Sequence, residues 1–86
     1  MNNDIFATDF SKELKRIRLK CSCSQAEFCR RLSLSNGTYS AWETGRFLPS
    51  VRSLTKVCEG LNAMNLSSEE IETLKNKYYD LKVKEK

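Results

Sequence analysis

The sequence predicts an all-α fold: a single domain built from five helices. Apolar residues recur at spacings of three and four along most of the chain, which is the period of helices with one buried face. Two of these stretches begin with a serine followed three positions later by glutamate, as expected where side chains cap a helix. A domain of 86 residues has a small core and is marginal on its own, so an oligomer is expected.

The first helix is predicted to begin at Asp9, after a polar lead of residues 1–8. Its apolar residues follow one another at spacings of four, three and four: Phe10, Leu14, Ile17 and Cys21. Either Asp9 or Ser11 would cap this helix, because both side chains carry an oxygen that accepts from free backbone N–H groups.

Two shorter helices follow, joined by a tight turn. Ser24 with Glu27 predicts a capping box, so the second helix would run from there to about Leu32. Ser35 would cap a third helix, which ends near Gly45 because glycine tolerates the left-handed conformation that closes helices.

The segment of the third helix also fits a β-hairpin, because Asn36 and Gly37 stand between two alternating runs. Gly37 also costs a helix about 1 kcal/mol relative to alanine. A two-stranded hairpin among helices would be marginal, however, and Tyr39 and Trp42 fall on one helical face. The sequence therefore favours the helix.

Two more helices complete the prediction. Ser50, after Pro49, would cap a fourth helix, with apolar residues at Val51, Leu54, Val57, Cys58 and Leu61. Ser67 with Glu70 would begin a fifth, with apolar residues at Ile71, Leu74, Tyr78 and Leu81. We therefore expect a domain of residues 9–64, followed by a C-terminal helix and a basic tail in residues 65–86.

Positive charge is concentrated in the first three helices and the loop after them. The whole chain carries a formal charge of +4, but residues 14–52 hold eight cations against two acids. The cations are Lys15, Arg16, Arg18, Lys20, Arg30, Arg31, Arg46 and Arg52, and the acids are Glu27 and Glu43. Such a local excess is typical of a surface that meets phosphate, although an ordinary solvated face would give the same count.

The sequence shows no arrangement of side chains typical of a catalytic or metal site. There is no histidine and no glycine-rich phosphate loop, so we expect neither an enzyme nor a cofactor or small-molecule ligand. The spacing of the four cysteines does not match a zinc site, and a core position suits Cys29 and Cys58. No apolar run is long enough for a membrane and the amino terminus lacks a signal-peptide core, so a cytoplasmic protein is expected.

Several runs of residues resemble a known family. They are Leu14 to Arg18, then Ser24-Gln25-Ala26-Glu27-Phe28-Cys29, then Leu34 to Arg46 with its Trp42-Glu43-Thr44-Gly45-Arg46 ending, and finally Pro49-Ser50 and Leu54. Together they resemble the phage repressor/Cro-type helix-turn-helix family, the xenobiotic-response-element group, without a gap over residues 14–61. The resemblance implies a compact five-helix fold like that of lambda repressor, with the helix-turn-helix at helices two and three.

In that family the third helix enters the major groove of double-stranded DNA. The resemblance implies base-reading roles for Asn36, Gly37, Ser40 and Ala41. It implies phosphate-binding roles for Ser24, Gln25, Ser35, Thr38, Thr44 and Arg46. The chemistry agrees, because an asparagine amide can pair with adenine and an alanine methyl can meet the thymine methyl.

The resemblance also implies an internal ion pair between Arg18 and Glu43. If buried, this pair would orient the third helix, and loss of either partner would strand a charge.

The chain departs from the family's usual pattern at five positions. Ser33 stands where relatives often carry glycine in the turn, and Thr44 where they often carry asparagine. Gly37 and Ala41 replace long polar side chains, so DNA shape would carry more of the specificity. Tyr39 replaces an aliphatic residue, so its hydroxyl needs a partner or a path to solvent.

The fifth helix is the predicted dimer interface. Ile71, Leu74, Tyr78 and Leu81 form a seam that is too narrow and too far along the chain to be explained fully by the core of the first four helices. We expect these residues to pack against a second copy, which would hold two third helices roughly 34 Å apart on DNA.

These features predict a sequence-specific DNA-binding transcriptional regulator, a repressor or controller protein of bacterial or phage origin. It would bind a two-fold symmetric operator as a homodimer. The alternatives are a protein-interaction module such as an antitoxin, and an adaptor that has lost DNA binding. An antitoxin would need a long tail for its partner, and an adaptor would need an acidic third helix.

Overall fold

The computed structural model describes residues 7–84, and all regular structure within them is helical. The five helices are α1 (Asp9–Lys20), α2 (Gln25–Leu32), α3 (Asn36–Thr44), α4 (Val51–Ala63) and α5 (Ser68–Lys84). Helix α3 is continuous across Asn36 and Gly37, so the hairpin alternative is wrong and the five-helix prediction is confirmed. Most of the predicted lead and the last two residues of the tail lie outside the described residues.

Side-chain oxygens cap all five helices at their amino ends. Each oxygen accepts from the backbone N–H three residues further on, and the capping residues are Thr8, Ser24, Ser35, Ser50 and Ser67. These bonds satisfy donors that the first turn of a helix leaves free. The beginning of each helix is therefore fixed locally by the sequence.

The cap of α1 differs from the prediction of Asp9 or Ser11. Thr8 is the capping residue, and Ser11 completes a capping box by accepting from the Thr8 N–H at 2.7 Å. The physical reason is that Asp9 already has helical geometry, so the oxygen must come from the residue before it.

The two glutamates predicted to complete capping boxes make other contacts. Glu27 accepts from Arg31 one turn later on α2, at 3.2 Å. Glu70 is paired with Lys20 and Arg16, and so connects α5 to α1. In each predicted capping box, the serine hydroxyl accepts from the backbone N–H of the glutamate, whereas the glutamate side chain bonds elsewhere.

The five helices enclose one hydrophobic core. Helix α1 packs against α3 and α5, α2 packs against α3 and α4, and α4 packs against α5. The core side chains are Phe10, Leu14, Ile17, Cys23, Phe28, Cys29, Leu32, Tyr39, Trp42, Leu54, Val57, Leu61, Ile71, Leu74 and Tyr78. Gly60 allows α4 to lie against α2, because a Cβ there would come within 2.2 Å of Leu32 Cδ2.

Tyr78 shows that α5 belongs to this core. The side chain is fully buried, its ring packs edge-on against Phe10 at 5.6 Å, and its hydroxyl donates to the Pro49 carbonyl at 2.7 Å. The expectation that the core of one chain does not fully account for the apolar seam of α5 is therefore wrong for Tyr78. The loop before α4 supplies the acceptor that a buried tyrosine hydroxyl requires.

Candidate nucleic-acid interface

Helices α2 and α3 are joined by a turn of residues 33–35. Ser33 takes the left-handed conformation with φ of 57°, and the Leu34 N–H donates to the Cys29 carbonyl at 2.9 Å. This arrangement closes α2 as a Schellman-type cap does. A non-glycine residue accepts the left-handed conformation only at a cost, so Ser33 is a strained position.

The carboxyl end of α3 is closed by Gly45, which has φ of 87°. The Arg46 N–H donates back to the Ala41 carbonyl at 3.0 Å, and the Thr44 hydroxyl donates to the same carbonyl at 3.2 Å. The chain then leaves α3 with Arg46 and Phe47 exposed. Phe47 is 68% exposed, and the sequence patterns did not single it out.

The outer face of α3 holds the predicted base-reading residues. Asn36 and Gly37 are exposed, whereas Ser40 and Ala41 are half-buried. Thr38, predicted to bind phosphate, is also exposed, and its N–H donates to the capping Ser35 at 3.3 Å. The first turn of α3 is therefore open to a ligand, and its outer face carries no charged side chain.

The inner face of α3 is buried. The Tyr39 ring packs edge-on against Phe28 at 5.5 Å and against Trp42 at 6.2 Å. Glu43, one turn after Tyr39, is only 8% exposed. A buried carboxylate is costly unless its oxygens accept hydrogen bonds.

Glu43 receives those hydrogen bonds from three helices. Its Oε2 accepts from Arg18 Nε at 2.6 Å and from the Tyr39 hydroxyl at 2.5 Å. Its Oε1 accepts from Arg18 Nη2 at 3.2 Å and from Gln25 Nε2 at 2.9 Å. We call Arg18, Gln25, Tyr39 and Glu43 the Glu43 cluster. It joins α1, α2 and α3 at one carboxylate, and thereby fixes α3 relative to the rest of the domain.

Arg18 also makes a contact outside the carboxylate. Arg18 Nη1 donates to the Cys23 carbonyl at 2.8 Å, so the guanidinium also holds the connector before α2. No buried side-chain nitrogen or oxygen in residues 7–84 lacks a hydrogen-bond partner. A network with every member paired specifies one arrangement of its helices, since any other arrangement would leave a polar group unpaired.

The cluster shifts the pKa values of its members in opposite directions. Burial acts to raise the pKa of Glu43, but the hydrogen bonds from Arg18, Tyr39 and Gln25 outweigh it and leave this pKa below its ordinary value of 4.5. Burial, together with the hydrogen bond to Glu43, raises the pKa of Tyr39. The carboxylate therefore stays charged and the phenol stays neutral at neutral pH.

Gln25 is the predicted phosphate ligand whose surroundings differ most from the expectation. Its amide nitrogen donates to Glu43, 18 positions later in the sequence, and the side chain is half-buried. An amide nitrogen has two N–H groups, so one remains for a second acceptor. Of the other predicted phosphate ligands, Ser24 and Ser35 are exposed caps and Arg46 is exposed.

Sequence reasoning identified two members of the Glu43 cluster and missed the bonds of the other two. The spacing of Tyr39 and Glu43 was the available signal, because residues four apart on a helix are neighbours. No comparable signal existed for Gln25, since its bond to Glu43 depends on how α2 packs against α3.

Three of the four residues predicted at the dimer interface lie in the core of the monomer. Ile71, Leu74 and Tyr78 are at most 8% exposed, and Leu81 is half-buried. The apolar side chains that α5 exposes are Tyr79, at 47%, and Val83, at 70%. Any interface on α5 must therefore use its outer side.

The four cysteines are free thiols, and no three metal-binding side chains come together anywhere in residues 7–84. Burial raises the pKa of Cys29 and Cys58, as expected for structural thiols. Within the described residues, no helix combines the length and apolar character needed to cross a membrane.

Together, the two capped helices, the closed turn and the exposed face of α3 define a helix-turn-helix domain. The model of the helix-turn-helix family matches residues 14–71, which run from α1 into the first turn of α5. The chain belongs to this family, of the XRE type, whose members have the helical lambda-repressor-like fold. It is a family of DNA-binding regulators that are typically not enzymes. None of the curated proteins matches the chain.

Proposed function

We propose that this protein is a transcriptional repressor or controller that binds a two-fold symmetric operator as a homodimer. The observation that carries this function is the division of α3 into a buried inner face, held by the Glu43 cluster, and an exposed, uncharged outer face. A rigidly held helix with small polar side chains on its outer face suits entry into the major groove.

Base reading rests on the first turn of α3. Asn36 is exposed at the first turn of α3, so its amide can approach the N6 and N7 atoms of adenine. Ser40 and Ala41 lie one turn further along α3 and are half-buried. They would contact base edges only if α3 enters the major groove deeply. Few side chains read bases in this arrangement, so sequence-dependent DNA shape would contribute to specificity.

Phosphate binding would flank this surface on both sides. Arg46 is exposed just beyond α3, and Gln25, Ser24 and Ser35 lie at the amino ends of α2 and α3. Backbone N–H groups and the helix dipole favour anions at those ends. In this proposal Gln25 donates one amide N–H to Glu43 and the other to a phosphate, so DNA binding draws on the same side chain that orients α3.

Dimerisation would place two α3 helices about one DNA turn apart, roughly 34 Å. We assign the interface to the outer side of α5, with Tyr79, Val83 and the half-buried Leu81 as its apolar contacts. Glu72 and Lys75 lie beside Tyr79 along the groove between α4 and α5. Lys75 and Glu72 pair with each other within one chain at 4.0 Å, so a two-fold axis beside them would place one acid and one cation from each copy at the same surface, which suits a symmetric dimer. A protein whose partner is bacterial or phage DNA would act in the cytoplasm.

Selection from random DNA, followed by sequencing, tests this function. We expect a symmetric site, and on that site Asn36→Ala should lose about 1–3 kcal/mol of discrimination at one base pair per half-site. Arg46→Ala should weaken binding to all sequences and reduce the salt slope by about one ion. Lys12→Ala, which removes an exposed cation from α1, is the matched control and should leave both quantities unchanged.

A chain that enriches no sequence contradicts the proposed function. The dimer is tested separately by sedimentation of a Tyr79→Asp, Val83→Asp double variant. Both positions are exposed, and the Tyr79 ring also packs edge-on against Tyr78 at 5.1 Å, so thermal unfolding of the variant must confirm that it folds. We expect a monomer that has lost operator preference. A variant that still sediments as a dimer and still selects its operator would move the interface away from α5.

A further inference from the structure

Asn36 and Gly37 form the one Asn-Gly pair in the sequence. In this dipeptide the backbone nitrogen of glycine can attack the side-chain carbonyl carbon of asparagine, because no side chain on the glycine hinders the approach. A cyclic imide closes between the two residues, and the backbone N–H proton leaves with the side-chain amide group as ammonia. Water then opens the ring at either carbonyl, which leaves aspartate or isoaspartate in place of the asparagine.

The structure leaves the attacking nitrogen unoccupied. The Gly37 N–H lies in the first turn of α3, where no earlier turn supplies a carbonyl acceptor. Ser33, four positions before it, has the left-handed conformation and lies outside the helix. The Ser35 hydroxyl accepts from the Thr38 N–H at 3.3 Å, two residues after Asn36. Within residues 7–84, no hydrogen bond therefore occupies the Gly37 N–H.

The first turn of α3 is also easy to unwind, which the reaction requires. The helical ψ of Asn36 holds its side-chain carbonyl carbon away from the next nitrogen, so the ring closes only in an opened turn. Residues 35–38 are all exposed, and the first buried side chain of α3 is Tyr39. Gly37 also costs the helix more backbone entropy than alanine would. Few contacts therefore oppose a local opening of this turn.

We propose that Asn36 is a site of spontaneous deamidation, in which the Gly37 nitrogen converts the asparagine into aspartate or isoaspartate. The consequence for DNA binding rests on the proposed function. Either product removes the amide donors and adds a negative charge to the outer face of α3, which carries no other charged side chain. A chain that is free of DNA therefore loses its operator with age, whereas bound DNA keeps the turn closed and protects Asn36.

The reaction is measured by incubating the purified chain without DNA at mildly alkaline pH, where backbone N–H groups lose their proton more readily. We expect release of ammonia and formation of isoaspartate, and peptide mass spectrometry should locate the change at Asn36. Gly37→Ala should slow the reaction at least about fivefold, because alanine makes the turn open less often. Nothing obstructs the added Cβ, so this variant keeps its fold.

Two other exposed asparagines are the matched controls. Asn65 follows α4, but the N–H after it donates to the Leu61 carbonyl at 3.1 Å. Asn76 lies inside α5, where the N–H after it has the carbonyl one turn earlier as its acceptor. Both should stay intact over the time in which Asn36 reacts. Lys77→Gly places the same dipeptide inside α5, and Asn76 should still stay intact, because the N–H at position 77 remains bonded.

DNA should affect the reaction, and the reaction should affect DNA binding. A saturating amount of the selected operator should slow deamidation of Asn36, and a scrambled duplex should slow it less. Asn36→Asp, which reproduces one product, should lose at least about fivefold in affinity for the operator. Its melting temperature should rise by about 1–5 °C, because an acid is favourable at the amino end of a helix. These opposite signs separate a loss of binding from a loss of fold.

Three results would count against the inference while leaving the proposed function standing. The modification is overturned if Asn36 stays intact, or if Gly37→Ala reacts as fast as the wild-type chain. Equal rates for Asn36 and for Asn76 in Lys77→Gly would show that the open turn has no role. A deamidated chain that binds its operator as tightly as a fresh one would overturn the consequence for DNA. A wild-type chain that selects no DNA sequence would instead contradict the proposed function and leave the modification standing.

Discussion

The two faces of α3 differ in their surroundings: the inner face is packed against the rest of the molecule and the outer face is exposed. On the inner face, Tyr39, Trp42 and Glu43 are buried against α1 and α2 and make ring contacts and charged hydrogen bonds. On the outer face, Asn36 and Gly37 are exposed and make no packing contact that fixes the helix. The orientation of α3 and its outer surface are therefore determined by separate residues.

This separation has a consequence for how the domain tolerates change. Substitutions on the inner face disturb a network in which every polar group depends on another, so they should act on stability. Substitutions on the outer face remove no buried contact, so they should act chiefly on binding. On the proposed function, a helix-turn-helix built in this way would bind a different DNA site without losing its fold.

The largest effect is expected for Arg18→Met, which leaves the buried Glu43 carboxylate without its cation. We expect the free energy of unfolding to fall by about 3–5 kcal/mol, because the uncompensated charge stays in the interior. Urea unfolding at neutral pH measures it. Arg16→Met removes a neighbouring but exposed ion pair and should cost less than about 1 kcal/mol.

Asn36→Ala, on the outer face, should stay within about 0.5 kcal/mol of the wild-type stability. If Arg18→Met unfolds like the wild-type protein, the inner face does not depend on the ion pair and the contrast between the faces is lost.

The second prediction concerns acid. The pKa of Glu43 is lower in the folded chain than its ordinary value of 4.5, so the unfolded state binds protons first as the pH falls. The stability that this group contributes is complete above about pH 4.5 and is lost as the pH falls through the folded-state pKa. Urea midpoints measured from neutral pH down to about pH 3 should therefore decrease steeply at the acidic end.

The same series on variants identifies the group responsible. Glu43→Gln should flatten the acidic decrease, because its side chain does not titrate. Glu70→Gln should retain most of it, since Glu70 lies at the surface, where water and salt screen its pairing with Lys20. An unchanged decrease in Glu43→Gln would assign the acid sensitivity to other carboxylates.

A smaller effect is expected for Tyr39→Phe, which removes one hydrogen bond from Glu43 and keeps the ring. The loss should be about 1.5–3 kcal/mol, the usual range for a hydrogen bond to a charged group. Tyr79→Phe is the matched control, because it removes the hydroxyl of an exposed tyrosine and should change the stability by less than about 0.5 kcal/mol. Equal stability of the two variants would show that Arg18 and Gln25 alone satisfy Glu43.

The smallest effect, and a favourable one, is expected in the turn that connects α2 to α3. Ser33 has φ of 57°, so Ser33→Gly should raise the free energy of unfolding by about 0.5–1 kcal/mol. Ser33→Ala keeps the strain and should bring no such gain. The urea midpoint at constant slope measures both variants, and a gain of equal size in both would rule out the backbone as the source.

The sequence alone determined the five helices, because the signals for them are local. Apolar residues three and four positions apart define a face, and the serines before α2, α3, α4 and α5 each place a cap oxygen three residues from its donor. At Asn36 and Gly37 the local signal fitted both a β-hairpin and a helix. The spacing of Tyr39 and Trp42, which places both on one helical face, correctly favoured the helix. Family resemblance then identified Arg18 and Glu43, which the structure brings together.

Only the tertiary structure decided which partners those faces meet. Gln25 donates to Glu43, Tyr78 donates to the Pro49 carbonyl and Glu70 pairs with Lys20, and each bond joins different helices or a helix and a distant loop. A periodic pattern states that a side chain is buried but does not state against what, because this depends on the angles at which helices pack. For the same reason, the sequence pattern of α5 predicted an interface between two chains. In the structure, Tyr78 is instead buried within one chain, by the loop before α4 and the ring of Phe10.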